Sequence, residues 1–124
     1  MTHKVLIADD EPNIVVSLEY LMKREGHAVS VARDGREALA AIRRERPDLV
    51  LLDVMMPAMS GFDVCQAVRA DPALAGVRIL MLTAKGRDTD LAKGTALGAD
   101  AYMTKPFSTQ ELAARVRELL GRIP

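Results

Sequence analysis

Three stretches of this chain, Val5-Leu6-Ile7-Ala8, Leu49-Val50-Leu51-Leu52 and Ile79-Leu80-Met81-Leu82, are apolar at consecutive positions, and longer amphipathic segments separate them. A strand with one wet face alternates apolar and polar residues. A run that is apolar at every position needs cover on both faces, which is the situation of a parallel sheet buried between helices. Val29-Ser30-Val31 and Ala101-Tyr102-Met103 are two further strand candidates. Between them the apolar positions recur at helical spacing: Ile14, Leu18, Leu21 and Met22; Ala38, Leu39 and Ile42; Leu112, Val116, Leu119 and Leu120. Punctuation agrees. Pro12 suits a first helical position, Gly26 and Gly98 suit helix C-termini, and Asp34-x-x-Glu37, Ser60-x-x-Asp63 and Ser108-x-x-Glu111 read as capping boxes. Strand followed by helix, five times over, predicts an α/β fold: a doubly wound five-stranded parallel sheet with right-handed crossovers and helices on both faces, for which we choose strand order 2-1-3-4-5.

With 124 residues and no repeat, low-complexity tract or linker, residues 1–124 are expected to form a single domain. Seventeen Lys and Arg balance seventeen Asp and Glu, so no chain-wide field draws nucleic acid or an anionic membrane. The lone Cys65 cannot form an internal disulfide, and without a Cys/His cluster a structural zinc site is not expected. The apolar run Val5 to Ala8 meets acidic residues too soon for a signal peptide, and no stretch reaches the roughly 20 apolar residues of a membrane span. A cytoplasmic protein is the expectation.

The charges that matter are local. In an open α/β sheet, ligands bind outside the carboxyl ends of the strands. Asp9 and Asp10 follow the first strand, Asp53 ends the third, Thr83 ends the fourth and Lys105 follows the fifth, so all five fall on one rim. Two carboxylates about 5 Å apart repel by roughly 3 kcal/mol at an effective dielectric near 20. Three together must protonate, splay or bind a cation. Magnesium suits such a site, because it takes a few carboxylates and completes its shell with water and a phosphate oxygen. An aspartate can then be the nucleophile that forms an aspartyl phosphate while a metal and a lysine offset charge on the transferring group. Each residue also has a plainer reading: Asp10 or Glu11 as a helix cap, Asp53 as a turn carboxylate, Thr83 as a cap, Lys105 as a solvated lysine, and Pro106 after an ordinary trans bond. What favours the shared site is that all five polar groups meet at strand ends on the same side.

From Lys4 to about Leu120 the chain resembles the response-regulator receiver domain of two-component signalling, including its chemotaxis-type members, which have a flavodoxin-like fold. The likeness rests on Asp9-Asp10, Leu51-Leu52-Asp53-Val54-Met55-Met56-Pro57, Met81-Leu82-Thr83-Ala84 and the run Gly98-Ala99-Asp100-Ala101-Tyr102-Met103-Thr104-Lys105-Pro106-Phe107. The resemblance implies that Asp53 accepts a phosphoryl group from a phosphohistidine on a sensor histidine kinase or histidine phosphotransfer protein. It implies that Asp9, Asp10, Asp53 and the backbone carbonyl of Met55 hold Mg2+, that Lys105 pairs with the phosphoryl oxygens, that Thr83 hydrogen-bonds one of them, and that the bond before Pro106 is cis. It further implies a switch in which Thr83 moves and Tyr102 rotates inward, changing the surface of the fourth helix (about 88–97), fifth strand and fifth helix to control an output. The domain would catalyse only its own phosphorylation and dephosphorylation and would not be an enzyme acting on an external substrate. It would not itself bind nucleic acid or membrane.

The segment Lys105 to Arg117 reads like receivers joined to winged-helix DNA-binding domains, which form phosphorylation-dependent dimers through the same surface. Here Leu91, Ala96 and Ala101 stand where several charges are expected, leaving Arg115, Arg117 and Glu111 without evident partners. Thr89, Gly94 and Thr95 would make the fourth helix the softest element. Met55 and Lys85 flank the approach of an attacking water, and Met56 and Met59 lie close by. Other functions fail on specific residues. A haloacid-dehalogenase-type phosphatase wants a second aspartate where Met55 stands, and a flavodoxin-like flavin carrier wants a phosphate loop where Asp9-Asp10-Glu11 would repel phosphate. A receiver that works without phosphorylation would show gaps in the acid and lysine set; there are none.

Overall fold

The consecutive apolar runs become strands whose successive residues serve two different cores. The computed structural model describes residues 2–84, 92–93 and 96–121. It contains β1 (Lys4–Ala8), α1 (Pro12–Arg24), β2 (Ala28–Ala32), α2 (Gly35–Glu45), β3 (Leu49–Asp53), α3 (Gly61–Arg69), a 3-10 turn (Pro72–Leu74), β4 (Arg78–Ala84), β5 (Ala101–Lys105) and a C-terminal helix (Thr109–Leu120). All neighbouring strands pair in parallel, in the expected order β2-β1-β3-β4-β5. Val5 and Ile7, Leu49 and Leu51, and Leu80 and Leu82 pack with Val15, Leu18 and Met22 of α1 and with Leu112, Val116 and Leu119 of the C-terminal helix. The residues between them, Leu6 and Ala8, Val50 and Leu52, and Ile79 and Met81, pack with Ala38 and Ile42 of α2 and with Val64, Cys65 and Val68 of α3. Period-two alternation therefore splits one continuous apolar run into two cores, one on each side of the sheet.

All three cap side chains accept the expected N–H, but only one of the three expected capping boxes closes in both directions, and α1 has no side-chain cap. Asp34 and Ser108 accept from the N–H groups of Glu37 and Glu111. Ser60 and Asp63 form the full reciprocal box. Neither Asp10 nor Glu11 caps α1 with its side chain: Glu11 occupies the N-cap position without a side-chain cap bond, and its N–H goes instead to Asp9 Oδ1 at 2.9 Å. Gly26 (φ 89) and Gly98 (φ 97) hold the left-handed conformation expected past a helix end.

The predicted fourth helix lies mostly outside the described residues, as do Lys85, Thr89, Leu91, Gly94 and Thr95. Arg115 and Arg117 have partners after all, in Glu118 (3.5 Å) and Glu25 (2.8 Å). The second pair joins residues 92 positions apart, across α1 and the C-terminal helix, a contact that local spacing does not reveal.

Candidate functional site

Strand register assembles the site. Ala8 pairs with Leu52, Asp53 with Leu82, and Thr83 with Thr104, so Asp9, Asp53, Thr83 and Lys105 emerge at the same level of adjacent strands. All four are largely buried: Asp9 is 0% exposed, Asp53 6% and Thr83 2%, and the Lys105 side chain is 14% exposed. Asp10 and Glu11 face solvent. Lys105, a surface lysine in the plainer reading, instead points into the acids. Its ammonium donates to Asp9 Oδ2 at 2.9 Å, Glu11 Oε1 at 3.1 Å and Asp53 Oδ1 at 3.4 Å. The Lys105–Pro106 bond is cis.

Asp53 is held by the backbone around it. The Val54 N–H donates to the Leu82 carbonyl at 3.0 Å, and the Val54 carbonyl accepts from the Gly61 N–H at 2.8 Å. A Cβ at Gly61 would collide with the Asp53 carbonyl oxygen, so only glycine lets the first turn of α3 seat against the end of β3. Between them Ala58 takes the left-handed conformation (φ 69), and the Pro57 carbonyl accepts from the Gly35 N–H at 3.3 Å, docking the loop on α2. Met55 lies in this loop, 59% exposed at the rim.

The electrostatics are unbalanced toward negative charge. Burial, with the neighbouring Asp9 carboxylate second, pushes the Asp53 carboxyl from 3.8 up to about 6, although Lys105 pulls the other way. Burial disfavours the Lys105 ammonium, yet its bond to Asp9 and the charges of Asp53 and Asp9 more than compensate and raise it above the usual lysine value. One ammonium faces four carboxylates, those of Asp9, Asp10, Glu11 and Asp53. Oxygens of Asp9, Asp10 and Asp53 lie within 4.8 Å of one another, the one such acid, His or Cys group among the described residues. A hard, oxygen-only donor set with surplus negative charge fits a small divalent cation such as Mg2+.

Alternation separates the remaining groups. Asp9, Asp53 and Lys105 continue the strand positions that face α1 and the C-terminal helix, whereas Thr83 continues the row of Ile79 and Met81. Tyr102, half-buried, packs against that second core, and its register partner is Met81, two residues before Thr83. Thr83 and Tyr102 thus share the face opposite the lysine.

Two elements carry no sequence signal. Glu11 suits a helix cap, and no local pattern marks it as a lysine partner. On the far side, Arg69 at the end of α3 donates to the Gly98 carbonyl (2.8 Å) and to Asp100 (2.7 Å), whose same oxygen accepts from the Ile79 N–H (2.7 Å). This fixes the segment entering β5.

Comparison with known proteins places these features in context. The family model described as response regulator receiver domain matches residues 5–117. The DNA-binding response regulator MtrA of Mycolicibacterium smegmatis is 48% identical over 122 residues, covering 98% of this chain and 52% of that protein. The chain spans about half the length of the curated relatives it matches. The solved structure of the chemotaxis response regulator CheY4 of Vibrio cholerae superposes with a TM-score of 0.89 at 34% identity, covering 96% of this chain and 99% of that one. The receiver domain of a sensor histidine kinase from Pseudomonas aeruginosa PAO1, solved with a magnesium ion coordinated in its active-site cleft, gives 0.89 at 26% identity and covers 98% and 99%.

Proposed function

Since the chain belongs to the response-regulator receiver-domain family, we propose that it is a phosphoacceptor signalling module, residues 1–124 forming one receiver domain, in which Asp53 takes a phosphoryl group from a phosphohistidine. The donor is a sensor histidine kinase or a histidine phosphotransfer protein. One observation carries the reading: a nearly buried Asp53 carboxylate sits within 3.4 Å of a lysine ammonium and beside two further carboxylates at the ligand-binding rim of a parallel sheet.

The residues divide the work. An Asp53 oxygen forms the new bond to phosphorus as the phosphorus–nitrogen bond of the donor breaks, and the imidazole leaves with that electron pair. Lys105, held in place by Asp9 and Glu11, is within reach of the transferring oxygens. Asp9, Asp10, Asp53 and the Met55 carbonyl are the residues that would hold Mg2+, whose charge, when bound, offsets that of the phosphoryl oxygens. The magnesium ion in the Pseudomonas relative's cleft supports this assignment. The Thr83 hydroxyl then bonds a phosphoryl oxygen, and Tyr102, on the same face two residues away in register, follows it inward. The altered surface controls an output, which in relatives such as MtrA includes DNA binding.

Intact mass after incubation with acetyl phosphate tests the reading. A single phosphoryl adduct is expected, dependent on Mg2+ and absent from Asp53→Ala. An unmodified parent chain, or an adduct that survives Asp53→Ala, refutes it; the former outcome would favour a receiver that binds its partner without phosphorylation.

A further inference from the structure

Lys105 has more carboxylates than the proposed chemistry uses, and its longest bond is to the one that reacts. The ammonium lies 2.9 Å from Asp9, 3.1 Å from Glu11 and 3.4 Å from Asp53. Asp9 doubles as a metal ligand in the reading above. Glu11 does not: its carboxylate is absent from the group of oxygens within 4.8 Å of one another. It is also not spent on its helix, since it makes no cap bond and its own N–H is taken by Asp9 Oδ1. This turn, which the N–H bond closes, leaves the Glu11 side chain, 57% exposed, facing Lys105 from the α1 side. A cation that engages Asp9 would leave Glu11 as the rival of Asp53 for the lysine.

Resting on the phosphoacceptor reading, we propose that Glu11 is a positioning residue that holds the Lys105 ammonium toward α1 in the unphosphorylated protein and gives it up when phosphoryl oxygens appear on Asp53. Glu11 therefore opposes the activated state. An ion pair with one exposed partner typically contributes about 0.2–1 kcal/mol, equivalent to a change of roughly 1.5- to 5-fold in an equilibrium constant.

The test uses the full chain and beryllofluoride as the phosphoryl mimic. With Mg2+ saturating, so that any effect of Glu11 on metal affinity drops out, Glu11→Gln is expected to bind beryllofluoride about two- to five-fold more tightly than the parent. In metal-free protein, the Lys105 side-chain NMR resonances of Glu11→Gln should move toward their position in the beryllofluoride-bound parent. Glu11→Asp keeps the charge but is one methylene shorter, and it should behave like Glu11→Gln. Unchanged or weaker beryllofluoride binding by Glu11→Gln, unmoved Lys105 resonances, or parent-like behaviour of Glu11→Asp each overturns the positioning role. A parent protein that binds no beryllofluoride at all instead refutes the phosphoacceptor reading.

Discussion

Removing the charge of Asp53 should stabilise the fold. In the native protein this carboxyl holds its proton up to about pH 6, against 3.8 for an ordinary aspartate, because burial and the Asp9 carboxylate act against its charge. At an effective dielectric near 20, the Asp9–Asp53 repulsion across at most 4.8 Å is about 3.5 kcal/mol, and attraction to Lys105 at 3.4 Å is about 5 kcal/mol. The lysine would win if it were not shared with Asp9 and Glu11 and if burial did not add its own penalty. A carboxyl moved from 3.8 to about 6 is disfavoured as an anion by about 3 kcal/mol, and solvent at the open rim reduces this to ~1–2 kcal/mol. Between those two values the native state binds more protons than the unfolded chain, so stability falls as pH rises through the window and stays lower above it. Asp53→Asn, isosteric and neutral, should therefore raise the melting temperature by roughly 4–8 °C at pH 7.5 without divalent cations. The gain should shrink below pH 6 and vanish near pH 4, and Mg2+ should abolish it by stabilising the parent. Thermal unfolding of both proteins across pH 4–8, with and without Mg2+, reads all three. A variant no more stable than the parent at pH 7.5, or a gain of equal size at pH 4, refutes the reasoning.

Lys105→Met should do the opposite, leaving the buried Asp9 and Asp53 uncompensated; we expect a loss of about 2–4 kcal/mol in urea unfolding at pH 7.5, partly recovered below pH 5 as Asp53 protonates. Gly61→Ala forces a Cβ into the Asp53 carbonyl and should cost about 2–4 kcal/mol, with beryllofluoride binding impaired as well because the reacting strand end must shift. Thr83→Ala should still be phosphorylated at Asp53 in the intact-mass assay, but the Tyr102 ring resonances should lose their response to beryllofluoride. Met55→Asn, replacing an exposed apolar side chain at the rim with one that can orient water, should shorten the phosphoryl lifetime measured by loss of the mass adduct.

Much of the fold was legible because burial on both sides leaves an unmistakable pattern. The runs at Leu6, Val50 and Leu80 are apolar throughout for the reason the two separate cores make plain, and the strand–helix repeat marks the sheet as parallel; the order 2-1-3-4-5 was a choice among parallel topologies, and the observed pairing agrees with it. The site was legible for a different reason: chain ends of parallel strands share a rim, so charge at Asp9, Asp53 and Lys105 had to converge. Contacts set by tertiary geometry were not legible. Glu11 sits where a helix cap belongs, and only the folded structure shows that its carboxylate makes no cap bond and accepts from Lys105 instead. Arg117 looked unpaired because Glu25 is distant in sequence. Gly61 carries no sequence signal of its role, since nothing nearby in the chain reveals the carbonyl pressed against it.

Helix α3 is fastened at both ends. Its first residue abuts the Asp53 carbonyl with no side chain between them, and its last, Arg69, grips Gly98 and Asp100. Nine residues of α-helix make a strut about 13 Å long that resists compression along its axis. A push on the β3 terminus along this axis meets backbone at the near joint and, at the far one, the side chain that holds the segment leading into the Lys105 strand, so the acceptor and its counter-charge are connected through the body of the domain as well as across the rim.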